Sequence, residues 1–316
     1  MLVWGRGFAP SKPSEARRPP VLTAQQFWMR DSPIAELETP SSKDSGGWHK
    51  LAKNRMPKHK RILRELRLRE PTLAGRLALI TGANRGIGLA IARALACEGC
   101  NLIITGRDQR ALAKARIELD KLQQEKLPKK LNVPVLAQAC DVRSPDSVDD
   151  LFALVRGLHT PLDILINNAG IGHPNRTVGE LPYPTWMEVI DTNLNGLFLM
   201  TQAALAVMRR GSTIVNNLSI AAERAFPGSA AYNASKHGAL GFTNTLREEL
   251  RPKGIRVIAL MPGATDTALW GTLWPKAPRR KMMSTETVAR TVVNALLLPE
   301  NTTVEKVVVM PSSGTL

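Results

Sequence analysis

Leu77-Ala78-Leu79-Ile80-Thr81-Gly82-Ala83-Asn84-Arg85-Gly86-Ile87-Gly88 is the stretch that decides the fold of this chain. A short apolar run ends in a glycine-rich turn and is followed by a helical pattern over Leu89 to Ala96, the order of strand, turn and helix that opens a βαβ unit. Glycines in such a turn let the backbone bend tightly and approach a pyrophosphate, which then rests on helix N-terminal amides. Gly82, Asn84, Arg85, Gly86, Ile87 and Gly88 are therefore expected to cradle a dinucleotide.

From Leu73 onward, short β-rich runs alternate with helical patterns. Strands are expected near Leu77 to Thr81, Leu102 to Thr105, Val135 to Cys140, Ile164 to Asn167, Thr213 to Asn217, Arg256 to Met261 and Val307 to Met310. That alternation specifies an α/β fold, a doubly wound parallel sheet of Rossmann-like type with its ligand at the carboxyl ends of the strands. Ser144-Pro145 with Asp146, and Ser284 or Thr285, offer helix caps. One domain is expected over residues 72–316.

Residues 1–71 read differently. Of the 43 Lys+Arg and 27 Asp+Glu of the chain, 15 and 7 fall here, so half of the net charge of +16 lies in this short extension. Its Pro-, Ser- and Gly-rich segments and lack of period predict a basic extension of low order. Lys50 to Arg69 interleaves basic residues with Leu51, Ile62, Leu63, Leu66 and Leu68, a pattern open to an amphipathic helix at a nucleic-acid or membrane surface. With no base-reading motif present, a solvated extension is the preferred reading, and neither contact is expected. No apolar run approaches the length of a membrane span. Three cysteines favour a reducing, cytoplasmic compartment over a disulfide framework, while Arg6, Arg17, Arg18 and Arg30 against a single Glu15 leave an organelle transit peptide open. Cys97-Glu98-Gly99-Cys100 spells a CxxC at the wrong end of a helix for a redox pair, and no metal site is expected.

At the end of the second strand stand Thr105-Gly106-Arg107, where a reader of the 2′-hydroxyl would be acidic. Arg107, with Arg85, suits a 2′-phosphate, so NADP(H) is preferred and NAD(H) remains open through Asp108, which more plainly caps the next helix. Farther along, Tyr232 and Lys236 share one face at the start of a helix over Ala231 to Leu250. A tyrosine of ordinary pKa about 10 needs roughly 4 kcal/mol to reach neutrality. A lysine about 5 Å away would supply about 3 kcal/mol of it. Ser219, just past the fifth strand, would hold a substrate oxygen against the Tyr232 hydroxyl.

On these motifs the chain resembles the short-chain dehydrogenase/reductase family over roughly Leu73 to Leu316. Thr81 to Gly88 is similar to its cofactor loop, Asp141-Val142 to its adenine contact, and Asn167-Asn168-Ala169-Gly170 to the element beside the cofactor. Pro262-Gly263 with Thr265 and Thr267 resembles the segment that meets the nicotinamide. The resemblance implies a catalytic tetrad of Asn193, Ser219, Tyr232 and Lys236. In it Tyr232 is the general acid or base, Lys236 tunes it and binds the nicotinamide ribose, and Asn193 holds a water. It also implies a small-molecule carbonyl or alcohol substrate and a homo-oligomer. Ala222, where glycine is frequent, and Asp266, between Thr265 and Thr267, depart from the pattern. The alternatives are a noncatalytic NADP-binding sensor or scaffold, and a nucleic-acid-associated protein using the basic tail. His173 is expected to be a solvated loop histidine and His237 a surface bystander. Trp270, Trp274, Met282 and Met283 could form an apolar lid.

Overall fold

The computed structural model describes residues 73–127 and 134–315. The readings of residues 1–71, including the amphipathic pattern of Lys50 to Arg69, lie outside the described residues.

Seven parallel strands form one sheet: β1 (Leu77–Thr81), β2 (Asn101–Gly106), β3 (Leu136–Ala139), β4 (Leu162–Asn167), β5 (Met208–Asn217), β6 (Arg256–Pro262) and β7 (Lys306–Val309). Their order is β3-β2-β1-β4-β5-β6-β7, so the chain reverses its direction of travel across the sheet between β1 and β4. A crevice opens there above the carboxyl ends of both strands.

Burial on both faces explains why the strands read as unbroken apolar runs. All five residues of β1 are buried. Ala78 and Ile80 pack with helices α1 (Gly86–Cys97), α2 (Gln109–Lys126) and α8 (Thr285–Leu296). Leu77 and Leu79 point the other way, into a second core made with α3 (Pro145–Gly157), α5 (Gly196–Leu205) and α6 (Ala230–Leu250). The period-2 alternation of one strand thus divides the interior into two layers.

The helices begin where the sequence supplies caps. Asp108 accepts from the Ala111 amide at 3.0 Å, Ser144 from Ser147 at 3.3 Å and Ser284 from Thr287 at 3.2 Å. Helix α1, like α5, α6 and the helix Tyr183–Ile190, does without one. No side chain caps it, and its N-cap is Arg85, so its first amides are left facing the crevice. Gly99, with φ of 78°, ends it in the left-handed turn expected of a helix terminator. Cys100 is buried behind it, its thiol pushed up to about 12 by burial, and burial raises the Cys97 thiol as well, the opposite of what an activated thiolate needs.

Strand β5 starts five residues before the expected Thr213, because Met208 pairs with Leu162 across an irregularity between Leu162 and Ile164. Arg209-Arg210-Gly211 carries no strand signal. Between α4 (Tyr183–Ile190) and α5 the helix widens into one π turn over Asp191–Asn195, a local bulge that turns Asn193 inward.

A polar chain is buried under the catalytic face. Asn167 Nδ2 donates to Thr201 Oγ1 and Asn216 Oδ1, both at 3.0 Å, and Asn216 Nδ2 donates to Thr243 Oγ1 at 2.9 Å. These bonds fasten α5 and α6 to β4 and β5 at defined heights, since a slip of either helix would leave buried amides unpaired. Asn216→Ala is expected to destabilise the protein by about 1–3 kcal/mol in urea unfolding, the cost of a broken buried network. A loss below about 0.5 kcal/mol would show that the network is not tightly coupled.

Candidate functional site

A cleft of about 890 Å³ lies above the switch between β1 and β4. Of the expected catalytic tetrad and the residues Gly82, 84–88, Arg107, Asp141, Val142, 168–170, Pro262, Gly263, Thr265 and Thr267, all line it except Gly88 and Asn193, which are buried.

The glycine loop is shaped by one asparagine. Asn168 Nδ2 donates to the carbonyls of Thr81 at 2.9 Å and Gly82 at 3.2 Å. In return, Thr81 Oγ1 accepts from the amides of Asn168 and Ala169, each at 2.9 Å. Four hydrogen bonds thereby lash the end of β4 to the end of β1. The packing is so close that a Cβ on Gly88 would stand 2.4 Å from Asn168 Nδ2 and 2.5 Å from the Gly82 carbonyl. Gly86, with φ of 57°, takes a left-handed turn that ordinary side chains avoid, and Thr267 closes over it from the far wall.

Beside this loop, Gly106 leaves room for Asn84: a Cβ there would meet Asn84 Oδ1 at 3.0 Å. Arg85 and Arg107 both line the cleft, and among the described residues neither enters an ion pair. Asp108 is occupied as the α2 cap. Asp141 is gripped by the Arg143 guanidinium at 2.6–3.1 Å, which holds its carboxyl below the ordinary range. Val142 fits under the start of α5, where Gly196 permits the contact. These features fit a dinucleotide phosphate: uncapped helix amides, a glycine cradle that a Cβ would close, and two free cations. At the other end, Thr192 Oγ1 and Asn217 Oδ1 are buried in the cleft wall with no protein partner among the described residues.

The residues of the chemical end come from three places. Ser219 follows β5 and accepts from the Ala221 amide at 3.1 Å. Tyr232 and Lys236 sit one turn apart near the start of α6, with Lys236 Nζ 5.7 Å from the centre of the tyrosine ring. The ammonium donates to the Asn217 carbonyl at 3.0 Å.

The electrostatics differ from the sequence-based expectation. Burial pushes the Tyr232 phenol above its ordinary value, and a hydrogen bond with Ser219 opposes this only in part. Burial also lowers Lys236 to about 8. The expectation counted the attraction of the lysine and not the cost of burial, which penalises the phenolate and the ammonium alike.

Asn193 turns out to be a strut. Its Oδ1 accepts from Ile171 N at 2.8 Å, while Nδ2 donates to Ile171 O at 2.9 Å and Ser235 Oγ at 3.0 Å. Both side-chain N–H donors are committed within the protein. The strut holds the segment after β4 against α6, and Gly170 leaves it space, since a Cβ there would stand 3.2 Å from Asn193 Oδ1 and 3.7 Å from Lys236 Nζ.

Other expectations need correction. His173 is 1% exposed rather than solvated, with Nδ1 at 2.8 Å from the Pro174 carbonyl, because the segment carrying it is tied down against the loop before α6. It does not line the cleft. Trp270 and Trp274 do line it, but Met282 and Met283 do not; Met283 is drawn into the core beside α8 by its backbone pairing with Ala264 and Asp266. His237 is exposed, as expected. The two departures are also accommodated: Ala222 is buried in a small core with Leu218 and Ala239, and Asp266 pairs with Arg279.

Asn217 and Ser235 were missed by the sequence reading. Asn217 Nδ2 donates to Asn168 Oδ1 at 2.8 Å while its carbonyl takes Lys236, so it links the glycine-loop staple to the lysine. Only the doubled asparagine at the end of β5 hinted at this.

The buried ammonium has a thermodynamic consequence. The folded-state value of Lys236, about 8, lies below its ordinary 10.5, so between these values the unfolded chain holds more protons and stability rises with pH. Below pH 8 the full penalty applies, roughly 3 kcal/mol. Lys236→Met is therefore expected to unfold at higher denaturant concentration than wild type at pH 7, with the difference shrinking as pH rises from about 8 to 10.5. A difference that does not change over that window would show that the ammonium is not desolvated.

Comparison with known proteins agrees with this geometry. The family model described as short chain dehydrogenase matches residues 76–278. A 3beta-hydroxysteroid dehydrogenase of Mediterraneibacter gnavus is 36% identical over 195 residues, covering 61% of this chain and 67% of that protein. Among solved structures, an alcohol dehydrogenase from Thermococcus sibiricus complexed with 5-hydroxy-NADP is similar with a TM-score of 0.67 and 30% identity, over 75% of this chain and 97% of that one. A short chain dehydrogenase from Burkholderia cenocepacia in complex with NADP is similar with a TM-score of 0.66 and 27% identity, over 77% and 98%.

Proposed function

The chain belongs to the short-chain dehydrogenase/reductase family of NAD(P)-dependent oxidoreductases, and from that membership we propose that it reduces a ketone or aldehyde, or oxidises the corresponding secondary alcohol, with NADP(H) as its partner. The observation that carries the reading is the convergence of Ser219, Tyr232 and Lys236 on the same cleft as the uncapped start of α1. NADPH would supply the hydride to the carbonyl carbon. Gly82, Asn84, Arg85, Gly86 and Ile87 would hold its phosphates, and Asp141, Val142, Asn168, Ala169 and Gly170 would flank it. Pro262, Gly263, Thr265 and Thr267 form the facing wall. The Arg85 and Arg107 cations favour the 2′-phosphate form, and the NADP carried by two structural neighbours supports that choice.

Each catalytic side chain then has a defined task. Ser219 donates a hydrogen bond to the carbonyl oxygen and keeps it beside the phenol. Tyr232 transfers its proton to that oxygen as the carbon is reduced, and solvent restores the proton. A phenol held above its ordinary pKa is fully protonated at neutral pH, which suits reduction, whereas the reverse reaction needs the phenolate. Lys236 would support the phenolate as it forms and would hold the cofactor ribose. Asn193 is a positioning residue, holding Ile171 and Ser235 around the lysine.

Tyr232→Phe removes the proton donor without touching the glycine cradle. Its kcat for NADPH oxidation with a carbonyl substrate should fall by about 10²–10⁴-fold, while NADPH titration gives an unchanged Kd. Retention of more than about a few percent of wild-type kcat would remove Tyr232 from the mechanism. Arg107→Asp should shift the ratio of kcat/KM values from NADPH toward NADH, because a carboxylate repels the 2′-phosphate and accepts from a 2′-hydroxyl. A wild-type protein that already prefers NADH would contradict the role given to Arg107.

A further inference from the structure

The charged side chains that line the cleft belong to the glycine loop, the ends of β2 and β3, helix α4 and Lys236. Arg85, Arg107 and Asp108 flank the glycine loop, and Asp141 and Glu188 are both paired with Arg143. Lys236 is the remaining charged side chain of the lining, and its ammonium is turned to the Asn217 carbonyl. Among the described residues, the wall beyond Ser219 and Tyr232 carries no charged group.

That wall is a built one, made of three interlocked segments whose own charged side chains, Arg176, Glu223 and Arg224, do not line the cleft. Residues 171–176 follow β4, residues 220–229 join β5 to α6, and residues 268–274 include the short helix α7 (Trp270–Leu273). The Arg176 amide donates to the Gly228 carbonyl at 3.0 Å and Asn175 Nδ2 to the Pro227 carbonyl at 3.2 Å. Gly228 is pressed so closely that a Cβ there would stand 2.0 Å from Asn175 Oδ1. On the other side, a Cβ on Gly172 would meet Leu273 at 2.5 Å and Leu269 at 3.3 Å. The surface thus assembled presents Ile171, Phe226, Pro227, Leu269, Leu273 and Trp274 to the cleft. Its polar side chains are the neutral Asn175, Ser229 and Thr272, and the Asn175 amide is already bonded within the wall. Trp274 is 46% exposed, an apolar face open to whatever enters. Trp270 is fixed by its Nε1 bond to the Thr265 carbonyl at 2.9 Å, which ties this wall to the segment facing the cofactor.

We propose that the substrate is an uncharged, predominantly apolar ketone or secondary alcohol whose bulk lies against Phe226, Leu269, Leu273 and Trp274, and that carboxylate- or phosphate-bearing carbonyl compounds are disfavoured. This rests on the oxidoreductase reading of the same cleft. A carboxylate placed here would lose its hydration and find no cation in return. The cations of the neighbouring turn do not replace one, because Lys276, Arg280 and Lys281 do not line the cleft and Arg279 is bound to Asp266 and the Thr267 carbonyl. A neutral apolar body gains from the same wall by leaving water.

The test uses the full chain with NADPH and a matched pair of ketones, 2-acetylnaphthalene and 6-acetyl-2-naphthoate, together with dihydroxyacetone as a small hydrophilic carbonyl. The neutral aryl ketone should show kcat/KM at least about tenfold above both others. Leu273→Arg should narrow or reverse the ratio within the pair, chiefly through the KM of the naphthoate, and Trp274→Arg serves the same end if the first variant does not fold. Equal or better turnover of the naphthoate or of dihydroxyacetone by wild type would overturn the substrate class and leave the oxidoreductase reading standing. Oxidation of NADPH with none of these, nor with a wider panel of aldehydes and ketones, would overturn that reading and this inference with it.

Discussion

The site depends on the Asn168 staple. An all-parallel sheet leaves the carboxyl ends of β1 and β4 side by side at the point where the strand order reverses, with their last carbonyls and amides unpaired. Asn168 and Thr81 satisfy those groups against one another, and in doing so they fix the glycine loop and the segment after β4 as one body. The second carbonyl bond, to Gly82, explains why Gly88 can carry no side chain: the loop has been pulled onto the amide that shapes it. Cofactor cradle and chemistry are then joined through Asn217, which grips Asn168 with its side chain and Lys236 with its backbone. A displacement at the cradle is felt at the lysine through two side chains.

Much of the fold was legible because burial on both faces writes each strand as a continuous apolar run. Leu77–Thr81 and Arg256–Pro262 were visible for that reason, and so were the caps Asp108 and Ser144, whose chemistry is local. The first half of β5 was not legible, since Arg209-Arg210-Gly211 lies at a rim where the chain only has to pair and not to bury. The π turn that carries Asn193 was equally silent. Its five residues differ from ordinary helix by one backbone register, and nothing in Asp191-Thr192-Asn193-Leu194-Asn195 marks that shift.

Within the site, the sequence named residues that the fold brings to one cleft, but not the contacts that brace them. The positions of Ser219, Tyr232 and Lys236 follow from a strand end and a helix face. The task of Asn193 depends on Ile171 and Ser235, which are 22 and 42 residues away in sequence, and no local pattern announces such partners. His173 was misread for a similar reason. Loop position suggests solvent, yet this loop is clamped against residues 227–229 and its histidine is carried inside.

The balance between burial and charge at Tyr232 and Lys236 follows from the same closeness of packing. A pair on an exposed helix would have kept an ordinary lysine and would have offered the tyrosine only a screened cation. With Lys236 buried and Tyr232 half-buried against the cleft, desolvation pushes both toward their neutral forms, while the ammonium donates to the Asn217 carbonyl. The arrangement leaves the phenol with its proton and the lysine close to the point of losing its own. On the proposed mechanism, a negative charge developing on Tyr232 as it gives up that proton would be met by a cation in a medium of low dielectric, where attraction is strongest. Burial would then cost stability in the resting protein and concentrate the electrostatic help of Lys236 into the moment at which the phenolate exists.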